Sequence, residues 1–243
     1  MNSKAKVAII AALKREVEPL IRDWQKSTCK HEGRTFTFYQ NPQAVLVCGG
    51  IGADAARRAT EAAIALFHPQ LLISAGFAGG LTPEMQAGCV VTPSTIVDAR
   101  DGSRTETGIG SGVLVTVNST AMLEAKQRLA ESYAAQLVDM EAAAVAKGAQ
   151  THGLPCVALK AISDESSFPM LPMDRFISAD GGFHERNLIL FAGVRPWLWG
   201  RMLSLARNSR RAAKALCRSL DRFNYDDVAA PNPGLQSGRR IPL

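Results

Sequence analysis

Apolar positions in this chain come in short unbroken runs, each followed by an alanine-rich or amphipathic stretch, a pattern that points to buried parallel strands alternating with helices. Lys6 to Ala12 is one such run, with a helix expected from about Lys14 to Trp24. Ala44 to Cys48 is a second, leading through Gly49-Gly50-Ile51-Gly52 into an alanine-rich helix from Ala53 to Phe67. Gln70 to Ser74 is a third, closed by Ala75-Gly76-Phe77-Ala78-Gly79-Gly80. Cys89 to Val91 and Val113 to Val117 read as further strands, with a helix near Thr120 to Ser132. Arg100 to Gly112 is polar and glycine-rich, so it reads as a loop or an edge hairpin.

The clearest unit follows. Val138-Asp139-Met140-Glu141 ends an extended segment, Ala142 to Gln150 is helical, and Leu154 to Ile162 is a buried-strand pattern closed by Ser163-Asp164. Strand, helix, strand predicts a right-handed crossover with parallel strands. Glu141 and Asp164 then emerge at one carboxyl edge of the sheet, where open α/β folds bind ligands. The fold class expected is α/β: a three-layer α/β/α domain with a mostly parallel central sheet.

Beyond Phe168 the pattern changes. Pro169, Pro172 and Gly181-Gly182 mark a boundary or lid, and Leu188 to Phe223 reads as one amphipathic helix with Leu198, Met202, Leu205, Ala206, Ala213, Leu216 and Leu220 on a face. The organisation expected is a catalytic domain over 1–168, a lid and basic helical extension over 169–223, and a loosely ordered tail over 224–243.

At 243 residues, 47% hydrophobic and 21% charged, the chain suits one globular α/β domain, with or without an appendage. The net charge of +6 is concentrated: Arg195 to Arg222 holds eight basic residues and the single acid Asp221. Five scattered cysteines (Cys29, Cys48, Cys89, Cys156, Cys217) form no C-x-x-C pair and read as reduced core thiols of a cytoplasmic protein. His31, His68, His152 and His184 show no ligand spacing, so no metal is implied. The N-terminus lacks the apolar stretch of a signal peptide, and no apolar run is long enough to span a bilayer.

Gly49 to Gly52 lacks full dinucleotide spacing and no Walker lysine follows it. Tight strand-to-helix turns at the sheet edge explain both this cluster and the one from Ala75 to Gly80, beside the narrower reading that small residues let a ribose or anion approach backbone N–H groups. Glu16, in isolation, reads as a solvated first-turn glutamate favoured by the helix dipole. Glu141 and Asp164 each follow an apolar run directly, where a charge is costly unless water or ligand reaches it. Helix capping would also account for either.

Together, Ile9-Ile10-Ala11-Ala12-Leu13-x-x-Glu16-Val17, Gly50-Ile51-Gly52, Ser74 to Leu81, Val138 to Glu141 and Ala161-Ile162-Ser163-Asp164 resemble the nucleoside phosphorylase/nucleosidase superfamily, in order, from about Lys6 to Asp164. The methylthioadenosine/S-adenosylhomocysteine nucleosidases are the nearest well-known branch. Asp180-Gly181 through Arg195-Pro196, with Leu205 to Ala213, resembles the hopanoid-associated members, which release adenine from adenosylhopane.

The resemblance implies a nucleoside phosphorylase-like fold, no cofactor, and an adenine nucleoside as substrate. It makes Asp164 the acid at adenine N7, oriented by Ser163; burial at a strand end disfavours the charged form of such a carboxyl. Glu141 matches the ribose-hydroxyl acceptor, Met140 packs on the sugar, and Glu16 activates the attacking water. Phe77 replaces a small hydroxyl residue that supports the water or anion site, next to Gly79. Val117 to Ala121 replaces the base-stacking loop, which leaves Phe168 as a candidate aromatic or plain core. No arginine stands at the matching glycine turn, favouring hydrolysis over phosphorolysis, in which phosphate would be the co-substrate.

A homodimer is implied by the same resemblance. The basic stretch over 197–218 with Trp197 and Trp199 fits either an interfacial helix at the inner face of the membrane or a helix packed on its own domain or dimer mate. The aromatic platform expected of a nucleic-acid binder is absent. The alternatives to an adenosylhopane-type nucleosidase are a methylthioadenosine/S-adenosylhomocysteine nucleosidase, a purine nucleoside phosphorylase, or a non-catalytic nucleoside- or lipid-binding member of the fold.

Overall fold

A computed structural model describes residues 6–223, and the tail over 224–243 lies outside the described residues. In chain order the elements are β1 (Val7–Ala11), α1 (Lys14–Ile21), β2 (Gln25–His31), β3 (Arg34–Gln40), β4 (Ala44–Cys48), α2 (Ala53–Phe67), β5 (Leu71–Gly80), β6 (Val90–Val91), β7 (Thr95–Asp98), β8 (Arg104–Glu106), β9 (Val113–Thr116), α3 (Leu123–Tyr133), β10 (Leu137–Asp139), α4 (Ala142–Thr151), β11 (Cys156–Asp164), α5 (Glu185–Gly193) and α6 (Trp199–Asp221).

The strands form one mixed sheet in the order β2-β3-β4-β1-β5-β10-β9-β7-β8, with β11 also paired to β5. The pairs β4–β1, β1–β5 and β5–β11 at its centre are parallel, and the β2–β3–β4 and β7–β8 pairs at its ends are antiparallel. The central strands are apolar on both faces because helices cover both. Alanines of α2 and α4 pack one face with Ile10, Val45, Leu72 and Ile162. Val17 and Ile21 of α1 and Ala212, Leu216 and Leu220 of α6 pack the other, with Ile9, Leu46, Ile73 and Val157.

Four expectations are corrected. The run Ala75–Gly80 does not close the third strand; β5 continues through it to Gly80, paired with β11. Its glycines mark close approach by other groups rather than a turn. A Cβ at Gly76 would lie 3.0 Å from Glu16 Oε2, one at Gly79 3.1 Å from Asp164 Oδ2, and one at Gly80 2.7 Å from the Met85 carbonyl oxygen.

Second, β10 and β11 are not parallel. β10 runs antiparallel to the far end of β5, Val138 opposite Gly79, while β11 runs parallel to it, with Asp164 also opposite Gly79. The two acids meet because both strands converge on Gly79, helped by a register shift between Ile162 and Asp164 that re-aims the last side chain.

Third, Leu188 to Phe223 is not one helix. Pro196 forces Arg195 to ψ 77°, and α5 and α6 are joined through a 3-10 turn at Pro196–Leu198. Leu205, Ala212, Ala213, Leu216 and Leu220 of α6 are buried but Ala206 is exposed. The apolar stripe of the second half of 197–218 is therefore spent on the sheet and α1. Within this segment the exposed large apolar side chains lie earlier, at Ile189, Leu190, Val194, Trp197, Trp199 and Leu203. No described helix is long and apolar enough to cross a membrane. Cys89, expected in a core run, is exposed.

Candidate active site

The end of β5 faces a cleft of about 860 Å³, mouth included, a size typical of small-molecule sites. One wall comes from the sheet edge and the start of α1, and carries Glu16, Phe77, Gly79, Met140, Glu141, Ser163 and Asp164. These seven residues singled out from the sequence thus line this one cleft. The opposite wall comes from the segment after β11 and from α6: Met170, Met173, Ile177, Phe183, Leu205 and Ser209. Val117, Ser119, Thr120 and Ala121 also line it, with no aromatic among them. Phe168 packs into the small cluster around Leu171, Phe176 and Leu188 instead, so Phe77 and Phe183 are the aromatics facing the cleft.

Glu16 is not solvated. Oε2 accepts from the Leu13 N–H at 3.3 Å, as a first-turn glutamate does, but the side chain is buried. Burial pushes its pKa up, opposed by that hydrogen bond and by Lys160.

The two acids after β10 divide their labour. Asp139 is structural: Oδ1 accepts from Thr116 Oγ1 at 2.6 Å, and Oδ2 from the Ala142 N–H at 2.9 Å, tying off the start of α4. Glu141 faces the cleft, with Oε1 accepting from the Gly52 N–H at 2.8 Å. Its pKa is pushed up to about 7, first by burial and then by Asp139, against the pull of Lys160. The capping expected of Glu141 or Asp164 thus falls to Asp139.

Lys160 was unmarked within its apolar run. Its Nζ lies 2.8 Å from Asp139 Oδ2 and 3.0 Å from Ser74 Oγ, fully buried. Burial works against the ammonium, but Asp139 and Glu141 outweigh it and its pKa ends up raised. A lone lysine inside a buried strand was itself a signal, since such a charge has to be paired.

Asp164 holds two partners: Ser163 Oγ donates to Oδ1 at 2.6 Å and Lys126 Nζ to Oδ2 at 2.5 Å. Lys126, on the first turn of α3, carried no sequence signal beyond a polar position on an exposed-looking helix. Arg15 also lines the cleft, joined to Glu185 at 3.1 Å with its guanidinium over the Phe183 ring at 4.8 Å, and ties α1 to the opposite wall.

The turn at Gly49–Gly52 is not an open anion cradle. Its N–H groups donate to the carbonyls of Ala11, Ala12 and Gly181 and to Glu141 Oε1. Gly50 and Gly181 meet so closely that a Cβ on Gly50 would lie 2.8 Å from the Gly181 oxygen. The plain structural reading of this glycine cluster is correct.

The family model described as "Phosphorylase superfamily" matches residues 6–123 and 110–169, well over half of the chain and all of the strands that build the catalytic wall. The chain belongs to the phosphorylase superfamily. A 5'-methylthioadenosine/S-adenosylhomocysteine nucleosidase of Bacillus pumilus (strain SAFR-032) is 26% identical over 231 residues, covering 76% of this chain and 96% of that protein. An aminodeoxyfutalosine nucleosidase of Campylobacter jejuni is 24% identical over 198 residues, covering 66% and 86%. Among solved structures, the futalosine hydrolase of Helicobacter pylori superposes with a TM-score of 0.64 at 20% identity, over 90% of this chain and 99% of that one. A methylthioadenosine/S-adenosylhomocysteine nucleosidase of Colwellia psychrerythraea, solved in complex with adenine, gives 0.65 at 20% identity over 90% and 93%. These structures share the superfamily fold, and the match runs past residue 169 into the helical segment that closes the cleft.

Proposed function

We propose that the protein cleaves the N-glycosidic bond of an adenine nucleoside and releases adenine, with water as the attacking group. One observation carries the reading: three carboxylates, Glu16, Glu141 and Asp164, line a single cleft whose facing wall is apolar. Cleavage passes through a cationic ribose, so a carboxylate at the sugar, a base for water and a polar clamp on the purine are the groups required. Glu141 takes the ribose hydroxyls, Met140 packs on the sugar, Glu16 takes the proton of the attacking water, and Asp164, ordered by Ser163, meets the N7 and 6-amino edge of adenine. Gly76 leaves the space beside Glu16 open, since a Cβ there would approach both Glu16 and Lys160. Water is favoured over phosphate because the N–H groups of the glycine turn are already engaged and Arg15 is paired with Glu185.

The apolar wall formed by Met170, Met173, Ile177, Phe183 and Leu205 suits a bulky apolar 5′ substituent, the adenosylhopane type. Such a substrate sits in a bilayer. The exposed Ile189, Leu190, Val194, Trp197, Trp199 and Leu203, bordered by the exposed Arg186, Arg201 and Arg207, are then the surface that meets an anionic membrane. The test is adenine release from adenosylhopane and from methylthioadenosine, each with and without phosphate. Release from adenosylhopane independent of phosphate supports the reading. Efficient turnover of methylthioadenosine makes the protein a general nucleosidase, strict phosphate dependence overturns the role of Glu16, and no release from any adenine nucleoside overturns the activity. Asp164→Asn is expected to keep nucleoside binding and to slow adenine release strongly without abolishing it.

A further inference from the structure

Lys126 is 2% exposed, yet it lines the cleft. Its ammonium carries three N–H groups. One is given to Asp164 Oδ2 at 2.5 Å and one to the Glu165 carbonyl oxygen at 2.6 Å. The third has no hydrogen-bond partner among the described residues. Asp164 Oδ1 in turn is held by Ser163. The base end of the cleft therefore presents a carboxylate acceptor and an ammonium donor side by side.

That pair matches one edge of one purine class. A 6-aminopurine shows a donor at its 6-amino group beside an acceptor at N7, whereas a 6-oxopurine shows two acceptors. We propose that Lys126 is the residue that donates the proton to N7 of the departing adenine, with Asp164 accepting from the 6-amino group. This inference rests on the adenine-nucleosidase reading given above.

The step balances without any further reactant than water. The Lys126 N–H bond breaks and its proton goes to N7, while the electron pair of the C1′–N9 bond stays with adenine. Water adds to C1′ and gives its proton to Glu16. Lys126, left as an amine, regains its proton and Glu16 loses one through solvent once products depart. Asp164 stays a carboxylate throughout and keeps the amine in place. The same pair excludes 6-oxopurines, since the carboxylate would face O6.

The experiment compares two leaving groups. The adenine nucleoside that the wild type turns over faster, adenosylhopane or methylthioadenosine, needs a proton at N7, and 4-nitrophenyl riboside needs none. In Lys126→Met, adenine release is expected to fall about 100-fold or more, the range of a lost general acid, while nitrophenol release falls less than about tenfold. Equal loss on both substrates, or adenine release within about tenfold of wild type, overturns the role. Lys126→Met leaves a buried carboxylate unpaired, so the comparison is repeated by adding Lys126→Met to Asp164→Asn, where neither charge remains. A further drop of about tenfold in the ratio of the two rates, relative to Asp164→Asn alone, is expected, and an unchanged ratio overturns the proposal. A wild type that releases nitrophenol but no adenine from either nucleoside overturns the parent reading and this one together.

Discussion

The two walls of the cleft are built on opposite principles. The sheet-edge wall is a network of buried charges in which Lys160, Asp139, Thr116, Glu141 and the Gly52 N–H fix one another. The facing wall is a small apolar cluster, Leu171, Met173, Phe176, Leu188, Leu198 and Leu205, whose outer side is exposed. A buried charge network tolerates no slack, because each unpaired member costs several kcal/mol, whereas an apolar surface accepts many shapes at small cost. On the proposed reading, chemistry sits on the wall held by paired charges and substrate selection on the wall that can be remodelled.

The comparison is broken most severely at Lys160. Replacing it with Met strands Asp139 in the interior, and a loss of about 3–5 kcal/mol in urea unfolding is expected; a loss under about 1 kcal/mol would mean that the network does not hold the wall. Next is Glu16→Gln, expected to lower kcat for adenine release by about 100- to 10,000-fold with an unfolding midpoint that does not fall.

The carboxyls also give the rigid wall a pH signature. Burial holds Glu141 at about 7, above the 4.5 of an exposed glutamate. Between those values the folded protein keeps a proton that the unfolded chain has released, so stability is greatest at the acid end of the window and falls as pH rises through it. Urea midpoints are expected to drop from pH 5 to pH 8, with Glu16 adding in the same sense, and Glu141→Gln to flatten that slope. In the opposite sense, kcat/KM is expected to rise with pH across about 7, as Glu141 gains the charge that favours a cationic sugar. A flat wild-type profile in both assays would refute the assignment.

The smallest effect belongs to the other wall. Phe183→Ala is expected to raise KM for a nucleoside with a bulky apolar 5′ group by about tenfold, the scale of a few lost apolar contacts. Turnover of a nucleoside with a compact 5′ group is expected to stay within about twofold. An equal loss on both would place Phe183 with the chemistry instead of with selection.

How much of this was legible in the chain follows the same division. The central strands along the chain, the helices after them and the acids Glu141 and Asp164 could be read because they sit at the ends of apolar runs, where local pattern and tertiary position coincide, whereas Glu16 read as solvated and gained its place only from the family resemblance. The charge partners could not. Lys126 and Lys160 owe their meaning to Asp164 and Asp139, which only the folded sheet brings to them. The hairpin of β2 and β3 was hidden because its strands are half exposed and polar, without a continuous apolar run. The glycine run from Gly76 to Gly80 was misread as a turn because glycine signals both bends and crowding, and only the neighbours of Gly76 and Gly79 tell which.

The pairing of β5 with β11 has a further consequence, in time. β11, which delivers Asp164, joins a strand made much earlier in synthesis, and α6 covers the same face later still. Contacts between such distant stretches form slowly and late. A growing chain can therefore complete the hydrophobic seam of its first five strands while the Asp164 end of the cleft does not yet exist. Activity should arrive abruptly, with α6, and not in proportion to the length already made.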